Sequence, residues 1–384
     1  MNTQDELISI LKARKNRAVE ILDKYGDAWL IVAAGKIDSN VEYFLGTYTH
    51  GMVAILLDRE QLVVLINRLE ESFARDKQHI DQIEKYYSYR EFREKLLGLL
   101  KKFSGCRILA NFSSLEVCPQ ASQLSHAMYN ELTYFAYKYE IDLKPSGRFV
   151  YQLRKNKTEE ELKALEKSVA ETIKIIDDVC NSGIIRSGTS EKEIASELYK
   201  LSYLYDGPAF DVIVASGPNT SNPHHVVSNR KLRTNDIFYI DFGIKYLTMS
   251  ADITRFFYIG TIETRVMNTY NAVYDAQNEA IKHIKAGVKC HEPDSIARKT
   301  LEKHGFDPNL FVHSLGHALG VDVHDVGPRL GRNIQDSIEP NTAYTVEPAL
   351  YFENEFGVRI EDDVIIYKDT TRRISKAPEE PLGL

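Results

Sequence analysis

The chain has 384 residues, 43% of them hydrophobic and 10% aromatic, with a net charge of -7. That is apolar material for sizeable cores and length for two domains. Acids and bases are interspersed, with no basic cluster among aromatics and no run near the ~18 apolar residues of a membrane span, so nucleic acid and membrane are both excluded as partners.

In chain order, residues 6–24 repeat apolar positions at helical spacing, and the surrounding stretch is too charged for a signal-peptide core, so a cytoplasmic protein is expected. The apolar runs Ala28–Ala34, Val53–Leu57 and Leu62–Ile66 predict strands, 91–103 predicts an amphipathic helix, and 107–112 another strand. A Pro-Ser-Gly turn ending at Gly147 closes this part, which holds no concentration of reactive residues. The boundary is placed there, giving a smaller α/β domain over 1–147 and a second domain over 148–384. In the second, helices over 159–182, 191–204, 263–286 and 292–304 alternate with strands over 210–216, 236–244, 251–259, 342–352 and 357–367. Strands bracketing helices in this way predict an α+β domain with a mainly antiparallel sheet. Cys106, Cys118, Cys180 and Cys290 form no CxxC pair, which fits a reducing compartment, and Cys118 and Cys180 read as small buried residues ahead of catalytic nucleophiles.

The chemistry concentrates in the second half. In FYIDFGIKYLTMSADITRFF a four-residue KYLT loop pairs Ile244 with Met249 and brings Asp241 opposite Asp252. Like charges so placed are destabilising and call for a shared proton or a cation; the alternative is a different register with both acids in solvent. In TAYTVEPALYFENEFGVRIEDDVII a three-residue loop pairs Phe352 with Phe356 and sets Glu347 opposite Glu361, with Pro348 costing one ladder bond. Four carboxylates among apolar neighbours match the charge of two divalent cations. FVHSLGHALGVDVHDVG adds His313, His317 and His324, and Gly316 and Gly320 argue against a regular helix there. Any one of these histidines is more often structural, but three within twelve residues favour a site. His224 and His225 follow in a turn after FDVIVASG.

Together, Asp241, Asp252-Ile-Thr-Arg, His313-x-x-Gly-His317, Thr345-Val-Glu347-Pro and Gly357-Val-Arg-Ile-Glu361 resemble the pita-bread metallopeptidase family, which includes prolidase, aminopeptidase P and methionine aminopeptidase. SGPNTSNPH and the RKxKTxxE pattern extend the likeness over most of 150–366, and the first 145 residues are similar to the N-terminal domain of the two Xaa-Pro branches. Ala349 stands where the family usually has Gly, and Phe256 where Thr commonly follows. The complete ligand set counts against creatinase.

The resemblance implies a curved sheet covered by helices, the pita-bread catalytic domain, behind the α/β N-terminal domain. It implies two divalent metal ions, Mn²⁺ or Co²⁺ first with Zn²⁺ or Fe²⁺ as alternatives, on Asp241, Asp252, His317, Glu347 and Glu361, with a bridging water as nucleophile. Glu347 would carry the proton to the leaving nitrogen, while His224 and His324, with His313 beside them, would hold substrate and stabilise charge. Arg329, with Arg332 as fallback, would meet a substrate carboxylate. Arg359 is assigned to the substrate side and, with Thr254, to orienting carboxylates. The implied substrate is a peptide with proline in second position, and the implied assembly a homodimer. Xaa-Pro dipeptidase (prolidase) leads, aminopeptidase P on longer chains is the alternative, and a non-catalytic binding module on the same fold is the reading from another class.

Overall fold

A computed structural model of the protein describes residues 3–384. These residues form two compact units divided between Glu160 and Glu161. In the first, the uninterrupted apolar runs become β1 (Ala28–Ala34), β2 (Met52–Leu57) and β3 (Leu62–Asn67), followed by β4 (Gln82–Tyr86), β5 (Arg107–Ala110) and β6 (Asp142–Pro145). They make one mixed sheet in the order β4-β3-β2-β1-β5-β6, antiparallel through β1, β2 and β3 and parallel toward both edges. Runs without polar alternation are what a strand covered on both faces requires. The helices here are α1 (Thr3–Leu22), α2 (Ser39–Leu45), α3 (Ser72–Arg75), α4 (Tyr89–Lys101), α5 (His126–Tyr139) and α6 (Gly147–Arg154). The Ser88 side chain caps α4 by accepting from Glu91 N, and Phe92, Leu96 and Leu100 on its inner face pack with Leu30 and Leu65 of the sheet.

The second unit carries α7 (Glu159–Asn181), α8 (Glu191–Ser202), α9 (Thr264–His283) and α10 (His291–Lys303). Its strands are β7 (Ile213–Ser216), β8 (Ile237–Phe242), β9 (Lys245–Tyr246), β10 (Met249–Ser250), β11 (Ile253–Tyr258), β12 (Thr342–Val346), β13 (Ala349–Phe352), β14 (Phe356–Arg359), β15 (Asp362–Ile366), β16 (Thr371–Arg373) and β17 (Leu382–Gly383). Pairing is antiparallel throughout except where β17 joins β11, in agreement with the expected α+β arrangement. Val273, Ala276 and Ala280 of α9 lie in the same core as Tyr239 of β8, Val346 of β12 and Val358 of β14.

Where single strands are expected over 342–352 and 357–367, the structure has two pairs separated by a gap. Pro348, lacking an N–H, ends the first ladder. Gln277 of α9 enters the gap, its Nε2 donating to Val346 O at 2.9 Å and Ile360 O at 3.3 Å. The backbone amides of Glu347 and Glu361 turn to Leu315 O and Thr254 O instead. Both acids therefore sit at an interruption in the sheet, where side chains are free of the usual strand alternation.

Candidate metal centre

The first hairpin is tighter than its sequence predicts. β9 and β10 close over Leu247 and Thr248, both with positive φ (49° and 72°), so the connection has two residues and not four. Asp241 is consequently paired with Thr254, which corrects the expected Asp241–Asp252 pairing. Continuing the register sets Asp252 opposite Gly243, two positions along. A shift of two preserves the face of the sheet, so the two carboxylates remain neighbours on one side. Gly243 is required here, because a Cβ would lie 1.7 Å from Ala251 O.

The second hairpin keeps its expected register. Phe352 pairs with Phe356 and Ala349 with Arg359, and on the far side of the gap Val346 pairs with Asp362. Glu347 is thus level with Glu361. The histidine segment is extended, as the glycines demand: Gly316 bridges to Leu330 and Ala318 to Tyr344 of β12. Thr345 N donates to His317 O at 3.0 Å and His317 N to Thr345 Oγ1 at 3.1 Å. Gly316 permits this approach, since a Cβ would stand 2.0 Å from Thr345 O.

These three segments meet at one point. His317 Nε2 lies 3.4 Å from Asp252 Oδ2 and 3.6 Å from Glu347 Oε1. One donor atom each from Asp252, His317 and Glu361 falls within 4.8 Å of the others. Two ligands about 2.1 Å from a shared ion at a tetrahedral angle stand about 3.4 Å apart, so the spacing suits a cation better than a hydrogen bond. Asp241 is anchored through Oδ2 to Arg359 Nη2 at 2.5 Å, while its buried Oδ1 has no hydrogen-bond partner. An orphaned buried oxygen in a ring of acids is the feature a metal would satisfy.

The electrostatics agree. Burial, then the charges of Glu361 and Asp241, hold the Asp252 carboxyl well above its ordinary range. Burial likewise raises Glu361, and it pushes Glu347 up to about 8 although the Arg359 charge opposes it. Burial lowers His317 and His313 to about 3, so both are neutral imidazoles with a lone pair to offer.

Asp241, Asp252, His224, His313, His317, His324, Arg329, Glu347, Arg359 and Glu361 all line one cavity of about 700 Å³. His313 sits 3.7 Å from Glu347 Oε2 and 3.1 Å from the Tyr351 hydroxyl. The His324 ring packs edge-on to His317 at 4.1 Å. Arg332 is exposed beside Asn309 and is not part of the lining. Arg359 is almost wholly committed to the protein: besides Asp241 it donates to Thr254 Oγ1, Pro223 O and the Tyr351 hydroxyl. Thr254 in turn donates to Glu361 Oε2 at 2.7 Å. Sequence reasoning misses Tyr351, one aromatic in an apolar strand, and Asp363, whose Oδ2 accepts from Asp252 N at 3.2 Å. Neither has a local signal. It also misses the apolar wall of Phe210, Val212, Ile213 and Val323.

Residues 163–368 match the sequence profile of metallopeptidase family M24. The chain belongs to metallopeptidase family M24. Along its whole length it is similar to the Xaa-Pro dipeptidase of Pyrococcus furiosus, 29% identical over 97% of this chain and 100% of that protein. Among solved structures, a dipeptidase from Pyrococcus horikoshii is 29% identical with a TM-score of 0.82, covering 97% of this chain and 100% of that one. An X-Pro aminopeptidase from Thermotoga maritima is 26% identical with a TM-score of 0.83, over 94% and 98%. The M24 chain is therefore a metal-dependent peptidase whose pita-bread fold follows an α/β N-terminal part in sequence, and its family implies divalent metal ions. Among the described residues no helix is long and apolar enough to cross a membrane.

Proposed function

We propose that the protein is an Xaa-Pro dipeptidase, hydrolysing the bond before proline in dipeptides. Two divalent ions, Mn²⁺ or Co²⁺ ahead of Zn²⁺ or Fe²⁺, would be held by Asp241, Asp252, His317, Glu347 and Glu361. The observation that carries the reading is the convergence of these five side chains, one with an unpartnered buried oxygen, on a cavity of about 700 Å³. An oxygen-rich set with one imidazole suits Mn²⁺ or Co²⁺ better than a thiolate site would. The Xaa-Pro bond comes from the Pyrococcus furiosus dipeptidase, whose full length the chain matches.

When bound, such ions polarise a carbonyl and make water acidic near neutral pH. The residues do the rest. Glu347 lies between His317 and His313 on the cavity side, placed to hold a proton and pass it to the leaving nitrogen. His224 and His324 face the same space and would stabilise charge growing on the scissile carbonyl oxygen. Arg329 is the cation in the lining left for a substrate carboxylate. Arg359, with its donors spent on Asp241, Thr254, Pro223 and Tyr351, orients ligands in preference to touching substrate. A cytoplasmic homodimer completes the reading.

A second reading, cleavage of longer Xaa-Pro peptides, is favoured by the equally good fit to the Thermotoga maritima X-Pro aminopeptidase. The protein loaded with Mn²⁺ or Co²⁺ should release proline from an Xaa-Pro dipeptide, lose this activity to chelator, and leave an Xaa-Pro-Xaa tripeptide intact. Release of the free N-terminal residue from the tripeptide establishes the second reading instead.

A further inference from the structure

His224 is exposed on an irregular loop, yet its proposed role demands a fixed position. Behind that loop lies a fully buried carboxylate, Glu191, at the first turn of α8. Its Oε1 accepts from Ser216 N at 2.9 Å, Ser216 Oγ at 2.6 Å and Asn219 Nδ2 at 2.9 Å. Its Oε2 accepts from His225 Nε2 at 2.8 Å, Ser228 N at 2.9 Å and Ser228 Oγ at 2.6 Å. Arg230 Nη1 donates to Ser216 Oγ and Arg230 N to Ser228 Oγ, which leaves both hydroxyl protons for Glu191. The three N–H groups and two hydroxyls all donate, so the group is an ionised acceptor, and it calls for the His225 tautomer with its proton on Nε2 as the sixth donor. Burial opposes its charge, but the bonds from His225, Ser216 and Ser228 outweigh it and bring the carboxyl down to about 2.

These contacts flank His224 in sequence, Ser216 and Asn219 before it and His225 and Ser228 after it, and two residues from the cavity side hold the segment immediately before it. Arg359, which grips Asp241, donates to Pro223 O at 3.1 Å, and the Tyr239 hydroxyl donates to Asn222 O at 3.0 Å. Without the Glu191 carboxylate, His225 and the Ser228 amide lose their tie and the downstream side keeps only backbone bonds further on, such as Lys192 N to Ser228 O at 3.3 Å.

We propose that Glu191 is a positioning residue for the reaction: its carboxylate gathers Ser216, Asn219, His225 and Ser228 and so fixes His224 over the cavity. The proposal rests on the peptidase reading for the role of His224. Glu191→Gln puts an NH₂ group against donors on one side and should free the loop.

The test is a double-mutant cycle with His224→Ala on the metal-loaded full chain, using the Xaa-Pro dipeptide. Glu191→Gln is expected to lower kcat about tenfold with little change in KM or metal content, since misplacing a catalytic group costs turnover before affinity. In the His224→Ala background it should have almost no further effect. Multiplying effects would overturn the proposal, because they would mean Glu191 acts without His224. Hydrogen exchange supplies the readout independent of activity: the Ser216 and Ser228 amides should lose protection in Glu191→Gln, and unchanged protection overturns the proposal. If that variant does not fold, Ser228→Ala removes one donor and should give the same pattern at smaller size. Wild-type silence on Xaa-Pro peptides would fell the proposed function, and the exchange result would then decide the positioning by itself.

Discussion

Glu361 and Asp362 are adjacent buried acids with opposite fates, and the difference is the count of their partners. Asp362 accepts from Arg255 Nη2 at 2.8 Å, Ser375 Oγ at 2.7 Å, Ala377 N at 3.0 Å and from Arg373. Burial works against it, but the two arginines prevail and hold it below the usual carboxylate range. Glu361 has Thr254 and a ring of other acids, so burial and the Glu347 charge keep it high. Substitution should separate the two. Asp362→Asn removes the counter-charge of buried Arg255 and half-buried Arg373 and is expected to cost about 3–5 kcal/mol of stability, with metal content per folded chain retained. Glu361→Gln removes a carboxyl whose ionisation burial and its acidic neighbours oppose, and is expected to leave the metal-free fold at least as stable while bound metal and kcat/KM collapse. Thermal melts with elemental analysis check both. A Glu361→Gln protein with full metal content would remove Glu361 from the ligand set. Arg359→Lys is the third variant at this scale. A single ammonium cannot reach Asp241, Thr254 and Tyr351 together, so metal affinity should fall by about 10–100-fold, measured by competition with a chelating dye.

At the scale of elements, the two hairpins show what a sequence makes legible. Glu353-Asn354-Glu355 has recognisable turn residues, Asn354 adopts positive φ (61°), and the register placing Glu347 level with Glu361 follows from it. Leu247-Thr248 carries no such signal. Two-residue hairpin turns with both φ positive favour Asn and Gly, and a β-branched threonine there is strained. Tertiary contacts sustain it: Leu247 is buried and Thr248 N donates to Asp206 Oδ2 at 3.1 Å. The acids, histidines and helices were therefore readable from pattern and resemblance. Hidden were contacts between distant segments, such as Gln277 filling the gap between β12–β15 and β13–β14, or Glu191 collecting the His224 loop. The turn yields its own prediction. Thr248→Gly relieves the positive φ and removes a buried hydroxyl without a partner, so it should stabilise by about 0.5–1 kcal/mol. A lowered Tm would mean the threonine methyl packs for more than the strain costs.

For the molecule as a whole, the carboxylate cluster makes stability depend on metal and pH together. Asp252 and Glu361 titrate well above their ordinary values and Glu347 near 8 when no cation is present, each chiefly through burial. An unfolded chain loses these protons at about pH 4–4.5. Between there and about 8 these carboxyls keep protons the unfolded chain has released, so their contribution to metal-free stability falls as pH rises. His313 and His317, neutral in the fold down to about 3, oppose this until the unfolded imidazoles lose their protons at about pH 6.5, which leaves the fall unopposed from about 6.5 to 8. Cations held at the proposed site would reverse the slope, because they would bind the ionised carboxylates and the neutral His317 imidazole, and binding to the folded state alone adds stability by mass action. The gap in Tm between metal-loaded and chelator-treated protein should therefore widen from pH 5 to pH 8, with the metal-free Tm declining between about 6.5 and 8. Calorimetry at matched ionic strength reads both curves. A metal-free Tm that holds or climbs between about pH 6.5 and 8 would mean that these acids are already ionised and compensated within the protein. In that case the cluster would not be one that stays poised for cations, and the five-residue ligand set would have to be redrawn.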